Sequence, residues 1–208
     1  TTLESQPLPG YDSAPNAPSP TSRVPYVLVG TTENWEELAA IYGRLISRQL
    51  AATSDLKDIV AGIKSRARSR RDIIEAAYAW VIENTRYVAL ELGIHAIKPY
   101  SVVSVLERRH GDCKDKSSLL VAMLKEAGIE ANVTLLRSQY RGPLDTSVPI
   151  FRAFDHAIAY VPSEDLYLDT TVLHHAAGEL PDPDRDALAL IVDLEGQTGR
   201  LVTTPKST

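Results

Sequence analysis

The chain carries one cysteine, Cys113, in the string Arg109-His110-Gly111-Asp112-Cys113-Lys114-Asp115-Lys116. Asp112 is a good helix N-cap, and Asp115 follows at the spacing of a capping box. Cys113 is therefore expected in the first turn of a helix, where unpaired N–H groups and the positive dipole end suit a thiolate. The same N–H groups can face an oxyanion forming beside the sulfur. Gly111 permits a sharp turn and a close approach of substrate. A structural cysteine more often lies on the apolar stripe of a helix, whereas this one precedes the stripe and has Asp and Lys around it. A single cysteine also excludes an intrachain disulfide and a four-cysteine zinc site.

A thiol nucleophile needs a base. The histidines are His95, His110, His156, His174 and His175. His156 lies in Phe154-Asp155-His156-Ala157-Ile158-Ala159-Tyr160-Val161, as the ionisable residue on the face of Phe154, Ile158 and Tyr160. Alone, such a histidine is more often a core residue bonded to backbone. The next strand, Tyr167-Leu168-Asp169-Thr170, holds an aspartate among apolar neighbours, where an unpaired charge is costly. If the two strands form a hairpin pairing Val161 with Leu166, His156 and Asp169 become diagonal neighbours on one face. Their Cβ atoms are then about 7–8 Å apart, within reach of an imidazole and a carboxylate. A slip of one residue would break this relation. In this register Asp169 orients His156, and His156 takes the Cys113 proton and returns it to a leaving amine.

These groups need elements to carry them. Helical spacing of apolar residues predicts helices from Thr32 or Asn34 to about Gln49, from Ser54 or Asp55 to about Ser65, and from about Arg71 to Thr85. Ser101 can cap a short helix to about Arg109, and His110-Gly111 breaks the chain. A strong helix from Cys113 to Ala127 carries Leu119, Leu120, Met123, Leu124 and Ala127 as its stripe, with Gly128 at the C′ position. The period then changes to two. Residues 131–136 read as a half-buried strand, 154–161 and 166–170 as a hairpin, and 188–193 and 200–203 as further strands. Helices followed by an antiparallel sheet define the α+β class. Residues 23–30 read as a short edge strand or extended segment. Segments 138–152 and 172–187 read as loops flanking the site, where His174 and His175 can touch substrate but surface loop is the default. Trp80, Tyr87 and Tyr100 are candidates for lining a cleft, with core packing preferred for Trp80. The basic run Lys64, Arg66, Arg68, Arg70 and Arg71 reads as a solvated helix end and loop.

Composition limits the alternatives. The 208 residues have a formal net charge of −5, which disfavours a nucleic-acid binder dependent on counterion release. No apolar run is long enough to span a bilayer. Six of the thirteen prolines fall within the first 25 residues. Residues 1–22 therefore read as a Pro-rich linker or extended arm, and residues 23–208 as one catalytic domain. The start at Thr1, without a Met, points to a processed or excised piece.

The blocks GDCKDKSSLLVAMLKEAGIEA, FDHAIAYV and LYLDTT, in that order, resemble the core of the transglutaminase-like superfamily. The resemblance covers about residues 70–175. TRYVALELG and KPYSVVSVLERRHGDC are similar to its bacterial branch. It implies a papain-like α+β fold with a Cys–His–Asp triad, mapped here onto Cys113, His156 and Asp169. It implies no cofactor and no metal, and a protein or peptide substrate. An upstream β-rich domain and an extracytoplasmic bacterial setting are also implied, although one unpaired cysteine suits cytosol and periplasm equally. Animal transglutaminases carry Trp after the catalytic Cys where this chain has Lys114, which favours peptidase or amidase chemistry over cross-linking. The expected function is thiol-mediated acyl transfer at a peptide or glutamine-type amide, through a thioester to hydrolysis or amine capture. The rivals are an inactive scaffold of the same fold, a plain structural domain of a larger exported protein, and a metal site built from His110, Cys113, Asp115, His174 and His175. Substrate and oligomeric state stay open.

Overall fold

The computed structural model describes residues 26–139 and 144–206. The expected arm at 1–22 lies outside the described residues. Three helices come first: α1 (Trp35–Ile46), α2 (Ser54–Lys64) and α3 (Arg70–Asn84). Each starts at a side-chain cap. Asn34 accepts the Glu37 amide, Thr53 that of Leu56 and Ser69 that of Asp72, each worth about 1 kcal/mol. Thr53 caps α2, ahead of both expected candidates, because its extended backbone points the hydroxyl back at the first turn.

A two-residue strand β1 (Arg86–Tyr87) follows, then α4 (Val102–Arg108), capped by Ser101. His110-Gly111 does more than break the chain. It forms β2, parallel to β1, with the Val88 amide donating to the Gly111 carbonyl at 3.0 Å. Helix α5 (Cys113–Glu126) comes next and ends at Gly128, whose φ of +83° suits glycine.

The remaining strands are β3 (Asn132–Leu136), β4 (His156–Val161), β5 (Leu166–Leu168), β6 (Leu188–Asp193) and β7 (Thr198–Thr203). They form one antiparallel sheet in the order β5-β4-β3-β6-β7. Strand β3 is central and buried on both faces rather than half-buried as its alternation implied. Helices cover one face, with α1 on β6 and β7 and α5 on β3 and β4. On the other face Leu136, Ile158, Tyr160, Tyr167 and Ile191 form a second apolar cluster with Leu180 and Ala187 of the 172–187 segment. That segment is therefore the second cover of the sheet. Residues 26–30 form no strand. No helix among the described residues is long and apolar enough to cross a membrane.

Helix α1 lies close on the sheet edge. A Cβ built on Gly199 of β7 would collide with the Ala39 Cβ and the Ile191 carbonyl oxygen. Gly199→Ala is expected to cost about 1–3 kcal/mol through overpacking. The check is urea unfolding, with a lower midpoint at unchanged slope.

Candidate active site

Cys113 opens α5, and the capping box is complete. Asp112 Oδ1 accepts the amides of Lys114 at 2.9 Å and Asp115 at 3.1 Å, and Asp115 Oδ2 accepts the Asp112 amide at 3.1 Å. Two first-turn amides are thus committed to the cap. This narrows the oxyanion donors expected there to the amide of Cys113 itself. A Cβ on Gly111 would strike the Asp115 side chain, so the tightness of this cap requires glycine.

The turn is charged yet buried, and each charge has a partner. Lys114 Nζ meets Asp112 Oδ2 at 2.8 Å and Glu91 Oε1 at 3.1 Å. Burial opposes its charge, but Cys113, Asp112 and Glu91 outweigh burial and raise its pKa. Asp115 Oδ1 accepts the Tyr100 amide at 2.7 Å. Burial and the neighbouring charge of Asp112 hold its carboxyl above the usual range. Lys116 is 1% exposed, and its Nζ donates to the Thr85 carbonyl at 2.8 Å. Burial pushes its pKa down to about 8, against the opposing pull of Asp169.

His156 is the first residue of β4. Asp155, just before it, accepts the amides of Ser138 at 2.8 Å and Gln139 at 3.1 Å. The β4–β5 register pairs Val161 with Leu166 and Ala159 with Leu168, and Asp169 follows directly. His156 Nε2 lies 3.2 Å from Asp169 Oδ2. Asp169 Oδ1 accepts both the amide and the hydroxyl of Thr171, at 2.8 and 2.7 Å. Tyr78 Oη of α3 donates to the Asp169 carbonyl at 3.0 Å. Burial works against the His156 imidazolium, but the hydrogen bond to Asp169 and the influence of Cys113 hold its pKa well above the ordinary value. The same imidazole, with the Thr171 donors, holds Asp169 below the usual carboxylate range despite its burial. His156 and Asp169 thus meet beside helix α5, which opens on Cys113 and packs against β4.

The remaining candidates are placed as follows. Tyr87 is half exposed, and its hydroxyl is pushed up to about 12, chiefly by burial. Tyr100 stacks on His95 at 3.6 Å between ring centroids, with Arg108 over its ring at 4.7 Å. Trp80 packs partly buried against the core beneath Arg109. His174 is exposed and His175 half-buried. His110 Nδ1 is hydrogen-bonded to the Arg108 carbonyl at 3.0 Å, and Asp115 is used by the cap, so the rival metal set does not assemble.

One residue was missed. Asp184 is 1% exposed, and its Oδ2 lies 3.8 Å from His156 Nε2. It belongs to Pro181-Asp182-Pro183-Asp184, which reads as exposed loop because only the folding of that segment over the sheet buries it. His156, Asp169 and Asp184 bring one ligand-type atom each within 4.8 Å of one another. Ser138 and Thr171 already donate to the two carboxylates, so the contacts present are those of an acid–base cluster.

A cysteine at a helix start, set against an antiparallel sheet that supplies histidine and aspartate, places the molecule in the papain-like α+β class. The Transglutaminase-like superfamily description matches residues 57–164, more than half the chain, and the chain belongs to that superfamily. The matched span contains Cys113 and His156 and ends before Asp169. A solved structure of a candidate protease from Parabacteroides distasonis shares the fold, with a TM-score of 0.60 and 16% identity over 83% of this chain and 32% of that one. A candidate cysteine protease from Cytophaga hutchinsonii aligns at a TM-score of 0.44 and 19% identity, over 62% of this chain and 42% of its own. The chain therefore spans less than half the length of either structure. No curated protein matches it.

Lys116 generates a prediction about stability. Its folded-state pKa of about 8 lies below the ordinary lysine value of 10.5. Between those values the unfolded chain binds more protons, so this group makes stability rise with pH. Lys116→Met removes the linkage. The stability of the wild type relative to Lys116→Met should rise by at most about 3 kcal/mol from pH 7 to pH 10.5, read by urea unfolding at each pH. A flat difference would mean that the buried ammonium titrates as an ordinary lysine.

Proposed function

We propose that this chain is a cysteine protease- or amidase-like domain that uses Cys113 as nucleophile, His156 as general base and acid, and Asp169 as the orienting carboxylate. The observation that carries the reading is the 3.2 Å contact between His156 and Asp169, with the only cysteine of the chain near enough to raise the pKa of the same imidazole. Family membership and the start of α5 support it.

In this mechanism His156 takes the Cys113 proton, and the sulfur attacks a peptide or glutamine-type amide carbonyl. The Cys113 amide donates to the oxyanion. The tetrahedral intermediate collapses to a thioester as the C–N bond breaks, and the imidazolium gives its proton to the departing amine or ammonia. Water, deprotonated by His156, then releases the acid and restores the thiol. An amine can enter by the same route, which would make the product a new amide. The charged group Lys114, Asp112 and Glu91 beside the nucleophile favours water as the acceptor over the apolar surroundings that would exclude it.

The test combines peptide-amide hydrolysis with incorporation of a labelled primary amine. Cys113→Ala is expected to fall to background in both. His156→Ala should lower kcat/KM by about 10²–10⁴. Asp169→Asn should lower kcat with little change in KM, because the amide misorients the imidazole. Wild-type turnover retained by Cys113→Ala would sink the assignment.

A further inference from the structure

We propose that Asp184 is a second orienting acid for His156: a positioning residue that shares a proton with Asp169 at the imidazole edge when protonated and sets its own charge on that edge when ionised. This rests on the reading of His156 as the base.

Two carboxylate oxygens converge on one ring nitrogen. His156 Nε2 is 3.2 Å from Asp169 Oδ2 and 3.8 Å from Asp184 Oδ2. The second distance is too long for a hydrogen bond but within ion-pair range. Asp184 Oδ1 accepts the Ser138 hydroxyl at 2.8 Å, whereas its Oδ2 is buried with no hydrogen-bond donor. A buried carboxylate oxygen without a donor is costly. Two relieving states are open to it, an O–H donated to Asp169 or attraction to the imidazolium. The turn is closed by the Asp184 amide on the Pro181 carbonyl at 2.9 Å and fixed from outside by the Thr204 hydroxyl on the Asp184 carbonyl. Asp184 cannot swing to solvent without unmaking that corner.

The surroundings set the direction of titration. Burial, and then the charge of Asp169, push the Asp184 carboxyl up to about 6, against the lowering influence of His156 and Ser138. The groups facing it are His156 of β4 and Asp169 beyond β5. Cys113 of α5 acts on the same ring, and Lys116 of α5 acts on Asp169. Arg185 is turned away, onto the Leu180 carbonyl and Asp182, and Arg137 Nη1 donates to the Ala153 carbonyl. Below about pH 6 Asp184 is an acid and the pair carries one negative charge. Above it the proton leaves to solvent, the pair carries two, and the imidazolium is held more tightly.

The experiment is an NMR titration of histidine ring resonances in the wild type and in Asp184→Asn, with His156 assigned by its absence in His156→Ala. In the wild type the His156 shifts should inflect near pH 6 and again where the ring loses its proton. In Asp184→Asn the first inflection should vanish and the second should fall by about one pH unit, a tenfold change in proton affinity. The alkaline limb of kcat/KM should move by the same amount with KM unchanged. Ser138→Ala, which keeps Asp184, should move the first inflection upward and serves if Asp184→Asn does not fold. Identical His156 titrations in wild type and Asp184→Asn, or an inflection untouched by Ser138→Ala, would overturn the proposal. So would loss of the inflection on adding EDTA, which would mean that a metal rather than a proton joins the carboxylates. The ring titration needs no turnover, so its outcome is separate from that of the Cys113→Ala assay.

Discussion

The first turn of α5 must be charged to hold the cysteine and buried to place it, and the architecture around it meets both demands. Asp112, Lys114, Asp115 and Lys116 lie inside the protein, where unpaired charges would cost several kcal/mol each. Asp112 is answered within the turn by Lys114, and the other three by distant pieces of chain. Lys114 draws in Glu91, Asp115 holds the Tyr100 amide, and Lys116 holds the Thr85 carbonyl at the end of α3. The short β1–β2 pair is the backbone part of the same arrangement. The polar start of one helix thus organises residues 85–101, and its apolar remainder organises α2, α3, α4 and the sheet.

The sheet divides the labour at the site. Alternation along β4 sends Ala157, Ala159 and Val161 to the helix side and Ile158 and Tyr160 to the loop-covered side. His156 stands at the end of the strand, where it can meet both layers. The thiol comes from the helix layer, the Asp169 carboxylate from the neighbouring strand, and Asp184 from the cover on the far face. Asp169 holds the imidazole directly, and Asp184 of the far-face cover stands at ion-pair range from the same nitrogen.

Electrostatically the site is a chain of opposed demands. Burial alone would neutralise His156, Asp169 and Lys116. Mutual contact reverses this for the first two, whereas the backbone carbonyl on Lys116 does not compensate. A fold that recurs at 16% identity in the Parabacteroides structure keeps the elements and layers that such a site requires while most side chains vary.

The sequence by itself determined what is local. The cap of α5, its period and the glycine after it depend on neighbours in the chain, so Cys113 could be placed at a helix start from spacing alone, whereas the register that brings His156 to Asp169 was one choice that a slip of one residue would undo. Only the tertiary structure decided what depends on distant chain. It put β3 at the centre of the sheet rather than half in water, paired His110-Gly111 with Arg86-Tyr87, and folded residues 172–187 over a sheet face. It also buried Lys116 and Asp184, which look like surface residues because charge pattern predicts exposure unless a partner is known. The physical reason is range: caps and turns are satisfied within a few residues, whereas burial of a charge is settled by whatever segment arrives to cover it.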